Sequence, residues 1–269
     1  MFNRMVFRLL PATEAFATVR ALWLWVVVRC EDAVVGDAID AVDWSAIPGH
    51  PEWYEPARAA LGLSALADAT NLFQAAAAGS LLGGGGILHG HSAAVFPAAA
   101  VAAPLLLDIA QKAHPAARNV ALGLIDEALS SYPHGEYRRV RTSYSTAVPI
   151  CCAIAHQVRT RSALLISMGR RGKALINSAA EHWLFEIAEC AADSQDTAAF
   201  GTLAGRLPSG EHAAELHAGG TVSLLEEVVL EYPPVDGSAD ACLRLRGRHP
   251  AQLPPGAVLL PAECGDRVH

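Results

Sequence analysis

Residues 172–190, "GKALINSAAEHWLFEIAEC", place Ile176, Ala179, Trp183, Ile187 and Cys190 on one stripe, with Lys173, Asn177, Glu181 and Glu189 facing the other way. Apolar residues recurring at three and four positions mark a helix buried on one side. Read this way, the segment extends helical structure into the last third of the chain.

Working outward, the same pattern recurs. In 98–112, Ala102, Leu105, Leu106 and Ile109 oppose Asp108, Gln111 and Lys112; in 116–129, Ala121, Ile125, Ala128 and Leu129 oppose Arg118, Asp126 and Glu127. The short connection between these two makes them antiparallel neighbours. Further helices are expected at 12–30, 33–43, 55–79, 146–158, 161–168, 194–205 and 221–231, separated by Pro and Gly breakers. Alanine runs such as "QAAAAG" favour helix by propensity. The expected fold class is therefore all-α: an α-solenoid of stacked antiparallel helical hairpins over residues 1–231, each hiding its apolar face against the next. From Tyr232 onward Pro and Gly are frequent and helical spacing is lost, so 232–269 reads as an irregular C-terminal tail with one short strand at Ala257–Leu260.

The chain has 269 residues, is 52% hydrophobic and carries a formal charge of −7, enough apolar material for a core and too little charge for general disorder. Arg4 and Arg8 precede an apolar run from Ala21 to Val28, which is about half of what a membrane span needs. A buried first helix is the preferred reading, with no membrane association. Six cysteines without CxxC spacing read as reduced thiols of a cytoplasmic protein, with no metal and no cofactor.

An ordered set of stretches, "AIDAVDWSAIPG", "GGGGILHGHSAAVFPAAAVAAPLLLDIAQKAHPAARNVALGLIDEAL", "AVPICCAIAHQV" and "INSAAEHWLFEIAE", resembles actinobacterial HEAT-repeat proteins over about residues 36–192. The resemblance implies a HEAT-like, armadillo-type right-handed stack of unassigned function that binds partners.

Residues 138–173 hold eight Lys or Arg and no acid. In a solenoid, Arg159 and Arg161 sit at one hairpin turn, while Arg138, Arg139, Arg141, Arg170, Arg171 and Lys173 gather at the other end, with Tyr137 and Tyr144 beside them. These eight residues are the candidate binding site. Partly screened like charges at such spacing favour an anionic partner, or acidic residues brought in from the flanking repeats. A protein with an acidic surface fits better than nucleic acid, since the basic residues come from one repeat and the chain is acidic overall. The expected function is a protein-binding scaffold without catalysis. The alternative is an enzyme on the same solenoid, either DNA glycosylase-like or tailoring a small molecule in an internal pocket.

Other motifs have plainer readings. "GGGGILHGHS" lacks the preceding strand and following Lys of a phosphate loop, so it reads as an inter-helix turn with Ser92 as a helix cap. His156 and His182 read as core or boundary histidines. Cys152 and His156, at i and i+4, share a helix face but lack an orienting carboxylate.

Overall fold

The segment 172–190 is not one helix. In the computed structural model, which describes residues 35–235 and 238–268, a helix ends at Ala180 and a strand begins at Leu184. The expected helix at 12–30, with Cys30, lies outside the described residues.

Eight helices come first: α1 (Val35–Asp40), α2 (Pro56–Ala67), α3 (Leu72–Gly83), α4 (Ala98–Lys112), α5 (Pro115–Ser130), α6 (Ile150–Thr160), α7 (Ser162–Ser167) and α8 (Arg170–Ala180). Among them lie five two-residue strands: β1 (Leu88–His89), β2 (Ala94–Val95), β3 (Tyr132–Pro133), β4 (Arg139–Val140) and β5 (Val148–Pro149). The rest is β6 (Leu184–Asp193), β7 (Asp196–Ala204), β8 (Glu211–Ala218), β9 (Thr221–Tyr232), β10 (Asp240–Leu245), β11 (Val258–Pro261) and a short helix, α9 (Ala262–Asp266).

The last six strands close into a barrel in the order β10-β7-β6-β11-β8-β9, every neighbouring pair antiparallel. This overturns the all-α solenoid: the helices expected at 194–205 and 221–231 are β7 and β9. It also overturns the irregular tail, because β10 and β11 complete the barrel, and the expected boundary after 231 falls at the end of β9.

Two bulges explain the misreading. Trp183, Phe185, Ile187 and Cys190 all pack into the barrel core. The β6–β7 register shifts between Ile187 and Glu189, so the extra residue of a bulge moves the next inward position from 189 to 190. Positions 183, 187 and 190 then coincide with a helical stripe. In β9 the inward residues Leu225 and Val228 are likewise three apart, facing Ala214 and His212 across a second register shift.

The helical body follows the sequence more closely. α4 and α5 pack as neighbours across a connection in which His114 Nδ1 accepts from the Ala116 amide at 3.1 Å and Pro115 opens the helix. The Asp-Trp-Ser stretch is a local cap: Asp43 accepts from the Ser45 and Ala46 amides, and the Trp44 indole donates to the Ile39 carbonyl at 3.1 Å. Ser92 is not the cap of α4, which starts at Ala98 with Pro97 at its N-cap position. Instead its hydroxyl meets His89 Nδ1 at 2.8 Å in the β1–β2 turn. Among the described residues no helix is long and apolar enough to cross a membrane.

Body and barrel meet on the outer faces of β8 and β11. Val258 and Leu260 point outward into a cluster with Val148, Cys151, Cys152, Leu184 and Cys264, while Leu259 points into the barrel. Arg267 adds a polar tie, donating to the carbonyls of Leu129 at 3.0 Å and Ser130 at 2.6 Å at the end of α5.

Gly201 sits opposite Ile187, and a Cβ there would lie 2.0 Å from the Glu186 carbonyl oxygen. Because the obstacle is backbone, it cannot swing aside. Gly201→Ala is expected to destabilise the protein by about 1–3 kcal/mol, read as a lower urea midpoint in equilibrium unfolding.

Candidate metal centre at the helix–barrel junction

The amide-rich start of α6 carries Cys151 and Cys152 in its first turn, where the helix dipole favours thiolate over thiol. Adjacent residues in a helix diverge by about 100°, yet both sulfurs reach the same place, because the site lies between α6, the α8–β6 turn and α9. His182 arrives from that turn and Cys264 from α9. The four donor atoms, three sulfurs and one imidazole nitrogen, all lie within 4.8 Å of one another, and all four residues are buried. His182 Nδ1 lies 3.2 Å from Cys264 Sγ.

A tetrahedron with metal–sulfur bonds of about 2.3 Å and metal–nitrogen bonds of about 2.0–2.1 Å has edges of about 3.5–3.8 Å. No donor pair exceeds those edges by more than about 1 Å, since all four atoms lie within 4.8 Å of one another. Hydrogen bonds from Cys152 and then Cys264 hold the Cys151 thiol well below its ordinary range, with His182 adding to the effect. Burial pushes the Cys152 thiol up, and the Cys264 thiol is raised chiefly through its bond to Cys151.

Arg159 braces this group. Its Nη1 donates to the carbonyls of Ala179 at 3.0 Å and His182 at 2.7 Å, which fixes the turn that presents the imidazole. Its Nε and Nη2, and the hydroxyl of Tyr144, are buried without a hydrogen-bond partner. The Arg159 charge acts on Cys152, Tyr144 and Cys264, and burial lowers the Arg159 pKa. Burial also pushes the Tyr144 phenol up.

A second polar network adjoins the first through Gly265, where a Cβ would lie 1.8 Å from Glu215 Oε1 and 2.7 Å from Arg139 Nη2. Glu215 and His217 alternate with the barrel-facing Ala214 and Leu216, so they point out of the barrel, yet both are buried beneath the body. Arg139 clasps Glu215 with two bonds, 2.8 and 2.6 Å, and donates to the Ala147 carbonyl at 2.9 Å. Burial opposes the Glu215 charge, but Arg139 and His217 prevail and hold its pKa at about 2, against an ordinary 4.5.

The structure disperses the basic residues expected to cluster. Arg139 is the buried partner of Glu215, and Tyr144 is packed against the His156 ring at 5.5 Å, unable to stack on a base. Arg138 and Tyr137 are half-buried beside β4, and Arg141 is exposed. Arg170, Arg171 and Lys173 lie exposed on the first turn of α8, about 15 Å of helix from the end that leads to His182. Arg159 turns inward, and Arg161 pairs with Asp108 at 3.0 Å.

Sequence reasoning passed over the cysteines because their spacing is irregular: His182 follows Cys152 by thirty residues and Cys264 is more than eighty further on. The available signal was the vicinal pair at the start of a helix. His182 was read as a core histidine, and it is buried, but with its nitrogen on a thiol.

No known protein family, curated protein or solved structure matches the chain. Together with the barrel, this corrects the resemblance to HEAT-repeat and armadillo-type proteins. The quoted stretches have local structural explanations, as the capping by Asp43 shows.

The lowered Glu215 pKa fixes the sign of an acid effect. A carboxylate held at about 2 in the folded state and near 4.5 when unfolded contributes stability above the unfolded value that is lost as pH falls toward the folded one. Urea midpoints are expected to drop between pH 4.5 and 2, and Arg139→Met, destabilising at neutral pH, is expected to flatten that slope.

Proposed function

We propose that the protein binds one zinc ion through Cys151, Cys152, His182 and Cys264, and that the ion fastens the helical body to the barrel. The observation that carries this reading is the convergence of four buried donors from three separate elements. Burial of three thiols and an imidazole around a common point is costly unless they hydrogen-bond or ligate, and the soft donor set selects zinc over magnesium or calcium.

Charge balance supports the same reading. Three thiolates, a neutral imidazole and a divalent ion leave one net negative charge. The Arg159 guanidinium, with its buried unpartnered N–H groups, supplies the compensating cation, and Tyr144 adds a donor. The four protein donors complete a tetrahedron, as in sites whose work is structural. Because the ligands are assembled only in the folded chain, metal binding is coupled to folding.

Elemental analysis of the full-length chain, purified anaerobically with zinc supplied, is expected to give one zinc per chain. Cobalt substitution should give the intense visible bands of tetrahedral thiolate coordination. Cys151→Ser and Cys264→Ser are expected to abolish both and to lower the melting temperature. Cys190→Ser, altering a thiol on the barrel, should leave the metal content unchanged. Full retention of free thiols with no bound zinc or cobalt would overturn the proposal.

A further inference from the structure

The network beside the thiols contains one hydroxyl whose proton is committed by its neighbours. Ser145 Oγ lies 2.8 Å from His217 Nδ1, and His217 Nε2 lies 3.2 Å from Glu215 Oε2. Both oxygens of Glu215 accept from Arg139, so the carboxylate is ionised and can only accept. His217 Nε2 must therefore carry hydrogen. In the neutral ring Nδ1 then has a lone pair, and the bond to Ser145 runs one way, with the hydroxyl donating to the imidazole.

His217 is 2% exposed and Glu215 6% exposed, so in the resting protein the ring's partners are Ser145 and Glu215. Ser145 is only half-buried, in the loop between β4 and β5. The Thr142 amide donates to the Ser145 carbonyl at 2.8 Å, the Ser145 amide donates to Thr142 Oγ1 at 3.2 Å, and the Ala147 amide reaches Ser145 Oγ at 3.4 Å. The hydroxyl is one end of a chain that runs serine, imidazole, carboxylate, guanidinium.

We propose that Ser145 is an activated nucleophile toward carboxylic esters, with His217 as its general base and Glu215 as the positioning residue that fixes the imidazole. The arrangement matches the roles that define a nucleophile–base–orienter set, with the two ring nitrogens exchanged relative to the commonest form. Ser145 Oγ bonds to the carbonyl carbon while its proton passes to His217 Nδ1. The carbon–oxygen bond to the alcohol breaks, and the proton leaves with the alkoxide. Water then enters where the alcohol has left, passes a proton to His217 Nδ1 and cleaves the acyl-serine, and that proton returns to Ser145 Oγ as the acid is released. This site is separate from the thiol centre and does not depend on the zinc reading.

The test uses the zinc-supplied full-length chain and a fluorophosphonate probe, which forms an Oγ–phosphorus bond with loss of fluoride. Peptide mapping is expected to place the label on Ser145. Ser145→Ala should abolish labelling, and His217→Gln should slow it by about 100-fold or more. Glu215→Gln keeps an acceptor for Nε2–H but loses the charge. It is expected to slow labelling and to move the midpoint of its pH–rate profile, which a Glu215 that only anchors Arg139 would leave in place. Circular dichroism establishes that each variant is folded. If His217→Gln does not fold, the wild-type result decides: label at Ser145 and on no other half-buried serine, such as Ser92, supports the proposal. An unlabelled wild type, or labelling that Ser145→Ala leaves intact, overturns it, and Ser145 is then only a clip for its loop.

Discussion

A closed antiparallel barrel has spent its backbone hydrogen bonds on itself, so anything attached to it must be attached through side chains. That constraint shapes the junction. β8 and β11 are buried on both faces, one by the barrel core and one by the helical body. On β11 the outward residues are apolar and simply pack. On β8 they are Glu215 and His217, and each needs a partner before it can be covered. Arg139 and Ser145 are those partners, and both come from the β4–β5 loop region, which lies immediately before α6. The same constraint brings the vicinal thiols of α6 against α9. Removing one member of the Arg139–Glu215 pair leaves a charge without its partner beneath the body, so the join is sensitive to single changes.

The helices of the body were legible because their apolar spacing reports burial against other helices, and α4 with α5 lies almost where the pattern puts it. The barrel was illegible for a physical reason. A regular strand alternates with period two, and a bulge adds a residue that turns two into three. Ile187 to Cys190 and Leu225 to Val228 are such steps, each beside further apolar residues that extend the false stripe. Gly219-Gly220 between two candidate segments was a readable hairpin signal. Both residues have positive φ, 55° and 81°, as the tight turn joining β8 to β9 requires.

The candidate sites were less legible than the fold. A metal centre announces itself when its ligands lie close in sequence, and here only Cys151 and Cys152 do. Sequence alone cannot show that the turn after α8 and the helix after β11 return to the start of α6. The basic residues misled in the opposite way: nearness along the chain suggested a shared surface, but β4 draws Arg139 inward while α8 carries Arg170, Arg171 and Lys173 to its far end. Charge in a segment predicts a patch only if the segment stays on one face.

The ligand from α9 has a bearing on biosynthesis. During translation Cys151, Cys152 and His182 leave the ribosome well before Cys264, and β11, the strand that precedes Cys264, is the last barrel strand along the chain. While the 112 residues from Cys152 to Cys264 are being added, the nascent chain presents an incomplete thiol set, and adventitious metals or oxidants can compete for the sulfurs. Barrel closure and sequestration of those sulfurs become a single late event, and exposure to thiol-reactive agents distinguishes finished chains from arrested ones.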